Sequence, residues 1–139
     1  MKIILQDNKT FVLRFDKGEE VFSGLQKFMQ DQQISACVFK GIGACVEAEL
    51  AYYNEHLKDY RKKPFYENME IVSLIGNGGL MEGKPIIHAH GVLGRTDFSI
   101  VGGHFTKIMV SPTCEIFLTV LNGALQREKN ADFNLNLLV

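Results

Sequence analysis

The sequence of 139 residues contains no tryptophan, only three prolines and three cysteines, and no excess of either charge. The cysteines, Cys37, Cys45 and Cys114, are odd in number and show no Cys-x-x-Cys spacing. Such a set argues against a disulfide framework and against a thiolate zinc site. We therefore expect the cysteines to be reduced side chains that pack in the core.

The charged residues are nearly balanced. Fifteen Lys and Arg residues against sixteen Asp and Glu residues leave a formal net charge of −1. This balance excludes a strong field that would draw the whole molecule to nucleic acid or to an anionic membrane. One basic cluster, KDYRKKP at residues 58–64, is typical of a solvated surface loop, and we interpret it so.

Long apolar runs are also absent. No segment approaches the roughly 20 apolar residues of a membrane span, and the N-terminal MKIILQDNKT has too short an apolar run and too early a charge for a signal peptide. We expect a cytoplasmic protein with no membrane partner. The hydrophobic content of 46% is enough for one core at this length, and no linker or repeat interrupts it. A single domain over residues 1–139 is the expected organisation.

Hydrophobic periodicity predicts one helix and many strands. TFVLRF, at residues 10–15, alternates like a strand. The segment that follows places an apolar stripe at helical spacing, formed by Val21, Phe22, Leu25, Phe28 and Met29. Strand patterns dominate after residue 34, and the final DFNLNLLV alternates in the manner of a last strand. Together these features predict an α+β domain in which one N-terminal helix covers a largely antiparallel sheet.

Two glycine-rich pieces raise the question of a nucleotide site: GIGA at Gly41 to Ala44 and GNGG at Gly76 to Gly79. A phosphate cradle needs glycines that lead into a helix N-terminus, whereas these pieces continue into a strand and a turn. We interpret the glycines as bulge and turn positions. The sequence also contains no GxSxG, P-loop or HExxH motif.

Three of the four histidines lie within IIHAHGVLGRTDFSIVGGHF, residues 86–105. Residues two apart in a strand point to the same face, so His88 and His90 share one side. If the turn after this strand centres on Thr96, His88 lies opposite His104 and all three imidazoles occupy one face. A shift of one residue would move His104 to the other face, and a bulge at Gly102-Gly103 would restore it.

Three neutral imidazoles with an open fourth position suit Zn²⁺ or another divalent transition metal. The pattern therefore offers His88, His90 and His104 as metal ligands, with ordinary core or surface histidines as the alternative. His56 lies in a loop-like segment and is left out of this set.

Metal-assisted chemistry would also need a proton-transfer partner. Glu47, Glu70 and Asp97 are of the right type, but no pattern selects one of them, and whether the protein is an enzyme stays open. Arg95 is a weak candidate for binding an anionic substrate, because a turn residue is more often solvated.

Several segments between Leu13 and Leu118 occur in a characteristic order: LRFDKGEE, FKGIGACVEAELAYYN, EIVSLIGNGG, GKPIIHAHGVLGRTDFSIVGGHF and SPTCEIFL. In this order the chain resembles the plants and prokaryotes conserved (PPC) domain in its stand-alone prokaryotic form. The most specific piece is His-x-His, a turn, and then Gly-Gly-His. The resemblance implies an α+β subunit of a homotrimer, with His88, His90 and His104 at the positions of a metal site.

Three functional hypotheses follow. The first is a trimeric zinc protein whose trihistidine site binds or acts on a small molecule. The second is a metal that only stiffens the fold. The third is a DNA-associated regulatory protein, by analogy with plant proteins that join this domain to an AT-hook. The sequence contains no Arg-Gly-Arg-Pro core of an AT-hook, and its charge gives DNA binding no support.

Overall fold

In a computed structural model that describes residues 1–139, the chain forms nine strands and one helix. In chain order the elements are β1 (Lys2–Asp7), β2 (Thr10–Asp16), α1 (Val21–Asp31), β3 (Cys37–Asn54), β4 (Asp59–Phe65), β5 (Met69–Met81), β6 (Lys84–Gly94), β7 (Ile100–Val120), β8 (Arg127–Asn130) and β9 (Leu135–Leu138). The predicted combination of one helix with a largely antiparallel sheet is confirmed. The helix has 11 residues and lacks the length of a membrane-crossing helix.

Seven strands form one antiparallel sheet in the order β1-β2-β7-β6-β5-β3-β4, and β8 and β9 form a separate hairpin. The long strands β3 and β7 also pair with each other. The pairings of β7 with β6, β6 with β5, β5 with β3 and β3 with β7 therefore make a closed circuit of strands. One face of this circuit, the inner face, carries the core, and the opposite outer face points away from it.

The helix begins where the Glu20 side chain caps it. The Glu20 carboxylate accepts hydrogen bonds from the backbone N–H groups of Phe22 (3.1 Å) and Ser23 (2.7 Å), which have no partner within the helix. All five apolar residues of the predicted stripe are buried, so that prediction is confirmed. They pack into a cluster of 25 buried residues with the inner faces of the strands.

The three cysteines belong to this core and form no disulfide. Burial raises the pKa of the Cys37 and Cys45 thiols to about 11 and that of Cys114 to about 12. The thiols are therefore protonated at neutral pH and act as small apolar side chains, as expected.

Two local predictions need correction, and one strand was not predicted. The basic segment KDYRKKP forms most of edge strand β4, because it pairs with β3, although its cationic side chains are exposed as expected. The GNGG piece lies inside β5, and the turn follows it at Glu82 and Gly83. The segment KIILQD forms strand β1, which the periodicity did not indicate.

The GIGA piece, in contrast, is a bulge as expected. The β3–β5 register shifts between Gly41 and Gly43, and Gly43 has a φ of +154°. A Cβ atom at Gly43 would lie 2.3 Å from the carbonyl oxygen of Thr113, so only glycine allows this close approach of β7.

Candidate metal centre

Strands β6 and β7 place the three histidines on the outer face of the sheet. His90 lies directly opposite His104, and His88 lies two residues earlier on the same strand as His90. The predicted pairing of His88 with His104 is therefore wrong. The shared face is retained, because the register differs from the predicted one by an even number of residues.

The difference originates in the turn between β6 and β7. This turn spans Arg95 to Ser99, with the Arg95 N–H donating to the Ser99 carbonyl at 2.9 Å and the Phe98 N–H donating to the Arg95 carbonyl at 2.9 Å. It is therefore centred on Asp97 and not on Thr96. The register of the β6–β7 pair is regular from Gly94 to His90, so no bulge at Gly102-Gly103 is needed to align the histidines.

The three imidazole rings form a nearly equilateral triangle. The ring centroids are 5.1 Å apart for His88 and His90, 5.1 Å for His88 and His104, and 5.2 Å for His90 and His104. One ring nitrogen from each histidine lies within 4.8 Å of the others. The Nε2 atoms of His88 and His90 are 3.2 Å apart.

The separation of the His88 and His90 nitrogens fits a zinc ion. Two nitrogens bound tetrahedrally to Zn²⁺ at about 2.0 to 2.1 Å would be about 3.3 Å apart, close to the separation of the His88 and His90 Nε2 atoms. The buried Nδ1 of His104 has no hydrogen-bond partner. An orphaned nitrogen in a polar cluster is consistent with a missing ion or water.

The electrostatic environment keeps two of the imidazoles neutral. Burial, with the charge of Arg127 and the proximity of His90, lowers the pKa of His88. Burial, followed by the neighbouring His88, His90 and Lys62, lowers the pKa of His104 to about 4. A neutral imidazole keeps the lone pair that a metal ligand requires.

Tyr60 of β4 stacks on His104, with ring centroids 4.9 Å apart and an interplanar angle of 28°. The stack restricts the orientation of the His104 ring. Sequence reasoning missed Tyr60 because it lies in the segment that we interpreted as a loop. No periodic signal marked it, because Tyr60 is the only uncharged residue between positions 58 and 63.

Arg127 of β8 approaches the cluster from the C-terminal hairpin. Its guanidinium donates to the Asn136 carbonyl and to Asn77 Oδ1, both at 2.8 Å, and Nη2 lies 3.3 Å from His88 Nδ1. Arg127 is the only charged residue that the fold buries, with 7% of its surface exposed. No sequence motif marked it, because 39 positions separate it from His88 and only the tertiary fold joins them.

A cleft of about 360 Å³ opens beside the histidines, between the sheet and the β8–β9 hairpin. Its walls include His88 and His104 together with Tyr60 and Arg127. The cleft gives a small molecule access to the cluster, in the size range of small-ligand sites.

None of the acidic candidates for proton transfer lines this cleft. Glu47 is ion-paired with Lys107 at 2.7 Å, Glu70 lies opposite Gly94 in the β5–β6 pair, and Asp97 accepts the Ser99 N–H at 2.9 Å in the turn. Arg95 is likewise outside the cleft.

The guanidinium of Arg95 is ion-paired with Glu67 at 3.0 Å, at the turn end of the β6–β7 hairpin. Arg95 therefore lies away from the cleft at the histidines, and the arginine that lines this cleft is Arg127. His56 lies in the turn after β3 and outside the histidine cluster.

The fold and the cluster define a small α+β protein with three histidines gathered on the outer face of an antiparallel sheet. Residues 4–122 match the Plants and Prokaryotes Conserved (PCC) domain, and the chain belongs to this family. The resemblance seen in the sequence motifs is thereby confirmed.

Solved structures share the fold over nearly the whole chain. A metal-containing protein from Archaeoglobus fulgidus is 34% identical, with a TM-score of 0.89 over 100% of this chain and 99% of its own. A plant- and prokaryote-conserved protein from Pyrococcus horikoshii is 29% identical, with a TM-score of 0.86 over 93% and 90%. A candidate DNA-binding protein from Bacteroides thetaiotaomicron is 27% identical, with a TM-score of 0.93 over 97% and 94%. No curated protein matches the chain.

Proposed function

We propose that this protein is a homotrimeric metal-binding protein with a small-molecule site at the metal. His88, His90 and His104 would hold one divalent transition metal per subunit, and zinc suits three imidazoles best. When bound, such a metal polarises a carbonyl or lowers the pKa of a coordinated water. The chain itself supplies the neutral imidazoles and the cleft through which a ligand reaches them.

The observation that carries the proposal is the convergence of three ring nitrogens within 4.8 Å of one another. Bringing three imidazoles together, two of them half-buried, costs desolvation of their ring nitrogens, and a shared metal would compensate this cost. The metal-containing relative from Archaeoglobus fulgidus, 34% identical, supports the same reading.

The cluster also favours an open coordination position. It contains three histidines and no cysteine or carboxylate, so this subunit supplies three ligands and zinc ordinarily takes four. The fourth position would hold water or an atom of the bound molecule. A purely structural metal would instead have a closed set of protein ligands.

An exposed apolar patch supports the homotrimer. Val38 and Ile42 of β3, Ile75 of β5 and Phe117 of β7 are between 41% and 61% exposed on the outer face of the sheet. The helix covers only the inner face, so these side chains have no cover within the subunit. Several exposed apolar side chains on one face of a sheet ordinarily mark a contact between proteins. The family resemblance makes two further copies of this chain the expected partners.

Elemental analysis of the purified protein tests the metal site. We expect about one zinc or other transition-metal ion per subunit in the wild type, near zero in His90→Ala, and the wild-type amount in the matched control His56→Ala. Equal metal content in wild type and His90→Ala would remove the proposed site. Circular dichroism would establish that the variants are folded.

DNA association is a second candidate function, favoured by the name of the Bacteroides relative and by the exposed cations Arg61 and Lys63 of β4. Electrostatic binding to duplex DNA weakens steeply as salt rises. An affinity that falls with salt and falls further in the double variant Arg61→Gln/Lys63→Gln would support this function. Unchanged binding in the variant would exclude this surface.

A further inference from the structure

Arg127 is a buried cation without an anionic partner. The groups that contact its guanidinium are a backbone carbonyl, the Asn77 amide oxygen and the His88 ring, all of them neutral. Its Nε is buried and has no hydrogen-bond partner at all. None of the ion pairs of the chain includes Arg127.

This arrangement is costly unless something compensates it. Removing a charge from water is unfavourable, and proteins ordinarily compensate this cost by pairing the charge. If Arg127 only joined the β8–β9 hairpin to β5, a neutral amide or hydroxyl donor would make the same bonds to Asn77 and Asn136 at lower cost. A buried guanidinium at the wall of an open cleft therefore indicates an anion that comes from outside the chain.

The charges around the cleft agree with this reading. Among the residues that line it, Arg127 and Lys129 are cationic and Asp59 is the one acidic residue. Asp59 accepts the backbone N–H of Tyr60 at 2.7 Å and forms no ion pair with Arg127. The lining therefore has an excess of one positive charge before any metal is bound.

The other walls of the cleft indicate the rest of the ligand. They include four aliphatic side chains, Ile86 and Ile87 on β6 and Leu135 and Leu137 on β9, beside the polar Asn134 and Asn136. An anionic group at Arg127 would leave the remainder of the molecule against these side chains. The planar fork of a guanidinium matches a carboxylate, which accepts two parallel N–H bonds.

From these contacts we infer that the cleft binds a small carboxylate with a short apolar tail, and that Arg127 is the group that holds the carboxylate. The inference rests on the proposed metal-binding function for the identity of the site. It goes beyond that function in naming the ligand class and the residue that selects it.

Arg127 lies next to the candidate metal ligands, since its Nη2 is 3.3 Å from His88 Nδ1. A divalent metal held by the three histidines would add positive charge beside the guanidinium. A carboxylate at Arg127 would be attracted by both charges. We therefore expect the metal to strengthen carboxylate binding.

Calorimetric titration of the zinc-loaded protein with butyrate tests the inference, with butyramide as the uncharged probe of the same shape. We expect butyrate to bind at least tenfold more tightly than butyramide. Arg127→Gln should weaken butyrate binding at least tenfold, whereas Arg95→Gln, which removes a guanidinium outside the cleft, should change it less than twofold. Removal of zinc from the wild type should weaken butyrate binding as well.

Zinc content, measured on each sample, separates this inference from the proposed function. If the wild-type protein binds no zinc, the proposed metal site is contradicted. The affinity of the metal-free protein for butyrate relative to butyramide still tests the role of Arg127. Arg127→Gln with full zinc content and wild-type butyrate affinity overturns the inference alone. If Arg127→Gln does not fold, the titration is repeated with Arg127→Lys, because lysine keeps the positive charge but lacks the planar guanidinium. Equal affinity of the wild type for butyrate and butyramide overturns the inference in every case.

Discussion

His90 lies directly opposite His104 in the β6–β7 pair, and their ring centroids are 5.2 Å apart. This pairing positions the candidate metal site, because directly opposed side chains in antiparallel strands point to the same face. His88, two residues from His90, completes the triangle through the two-residue period of the strand. The site is thus built on two rigid strands and not on loops, which favours a preorganised set of ligands.

Acid should destabilise the metal-free protein through His104. The pKa of this imidazole is about 4 in the folded protein, against a reference value of 6.5, mainly because of burial. The unfolded chain binds the proton more tightly, so the contribution to stability is complete above pH 6.5 and is lost as the pH falls to about 4.

Thermal unfolding in the presence of a chelator checks this expectation. The Tm should fall by roughly 5 °C between pH 7 and pH 4.5 beyond the change seen in His104→Gln, since about 1 kcal/mol corresponds to a few degrees in a domain of this size. Parallel pH profiles for the wild type and His104→Gln would contradict the assignment. His56→Gln serves as the matched control and should behave like the wild type.

Removal of the Tyr60 ring should weaken metal binding. Tyr60 stacks on His104 at 4.9 Å, and groups that orient a metal ligand typically contribute a factor of 10 to 100 to affinity. We expect Tyr60→Ala to raise the Kd for zinc roughly tenfold, measured by competition with a chelator, while Tyr60→Phe keeps the ring and the affinity. Tyr52→Ala, at an exposed position of β3, is the control. The same Kd in Tyr60→Ala and Tyr52→Ala would show that the stack has no effect on the ligand.

A charge in the exposed apolar patch should break the trimer. Ile75 is 61% exposed on the outer face, and burying a lysine there against another subunit would carry the cost of an unpaired charge. Sedimentation equilibrium should show a trimer for the wild type and monomers for Ile75→Lys. Leu57→Lys introduces the same charge at an exposed turn residue and should leave the trimer intact. A wild-type monomer in dilute solution would contradict the proposed assembly.

Truncation of the helix stripe should destabilise the fold. Leu25 is fully buried against the sheet, and Leu→Ala changes in cores cost about 2 to 5 kcal/mol. Denaturant unfolding of Leu25→Ala should show a loss in this range, whereas Lys27→Ala, on the exposed side of the same helix, should change the free energy of unfolding by about 0.5 kcal/mol or less. A loss below 1 kcal/mol in Leu25→Ala would mean that the helix contributes little to the core.

The sequence by itself determined the class of the fold and the face that the three histidines share. The helix stripe from Val21 to Met29 and the alternation in β2 are local patterns, set by which side of an element meets the core. The sequence also predicted that His88, His90 and His104 lie together. Strand periodicity determines the face of each side chain, and a shift of the hairpin register by two residues leaves that face unchanged. The residue that lies opposite His104 could not be predicted, since it depends on the number of residues in the turn.

The tertiary structure alone decided what surrounds the histidines. Tyr60 reaches His104 because β4 pairs with the far end of β3, and Arg127 reaches His88 because the C-terminal hairpin lies against β5. Neither contact leaves a periodic signal, because each depends on long-range strand pairing and not on the spacing of neighbouring residues. Local sequence patterns determine which face of a strand or helix a side chain occupies. Only the tertiary fold determines which residues from distant segments contact that side chain.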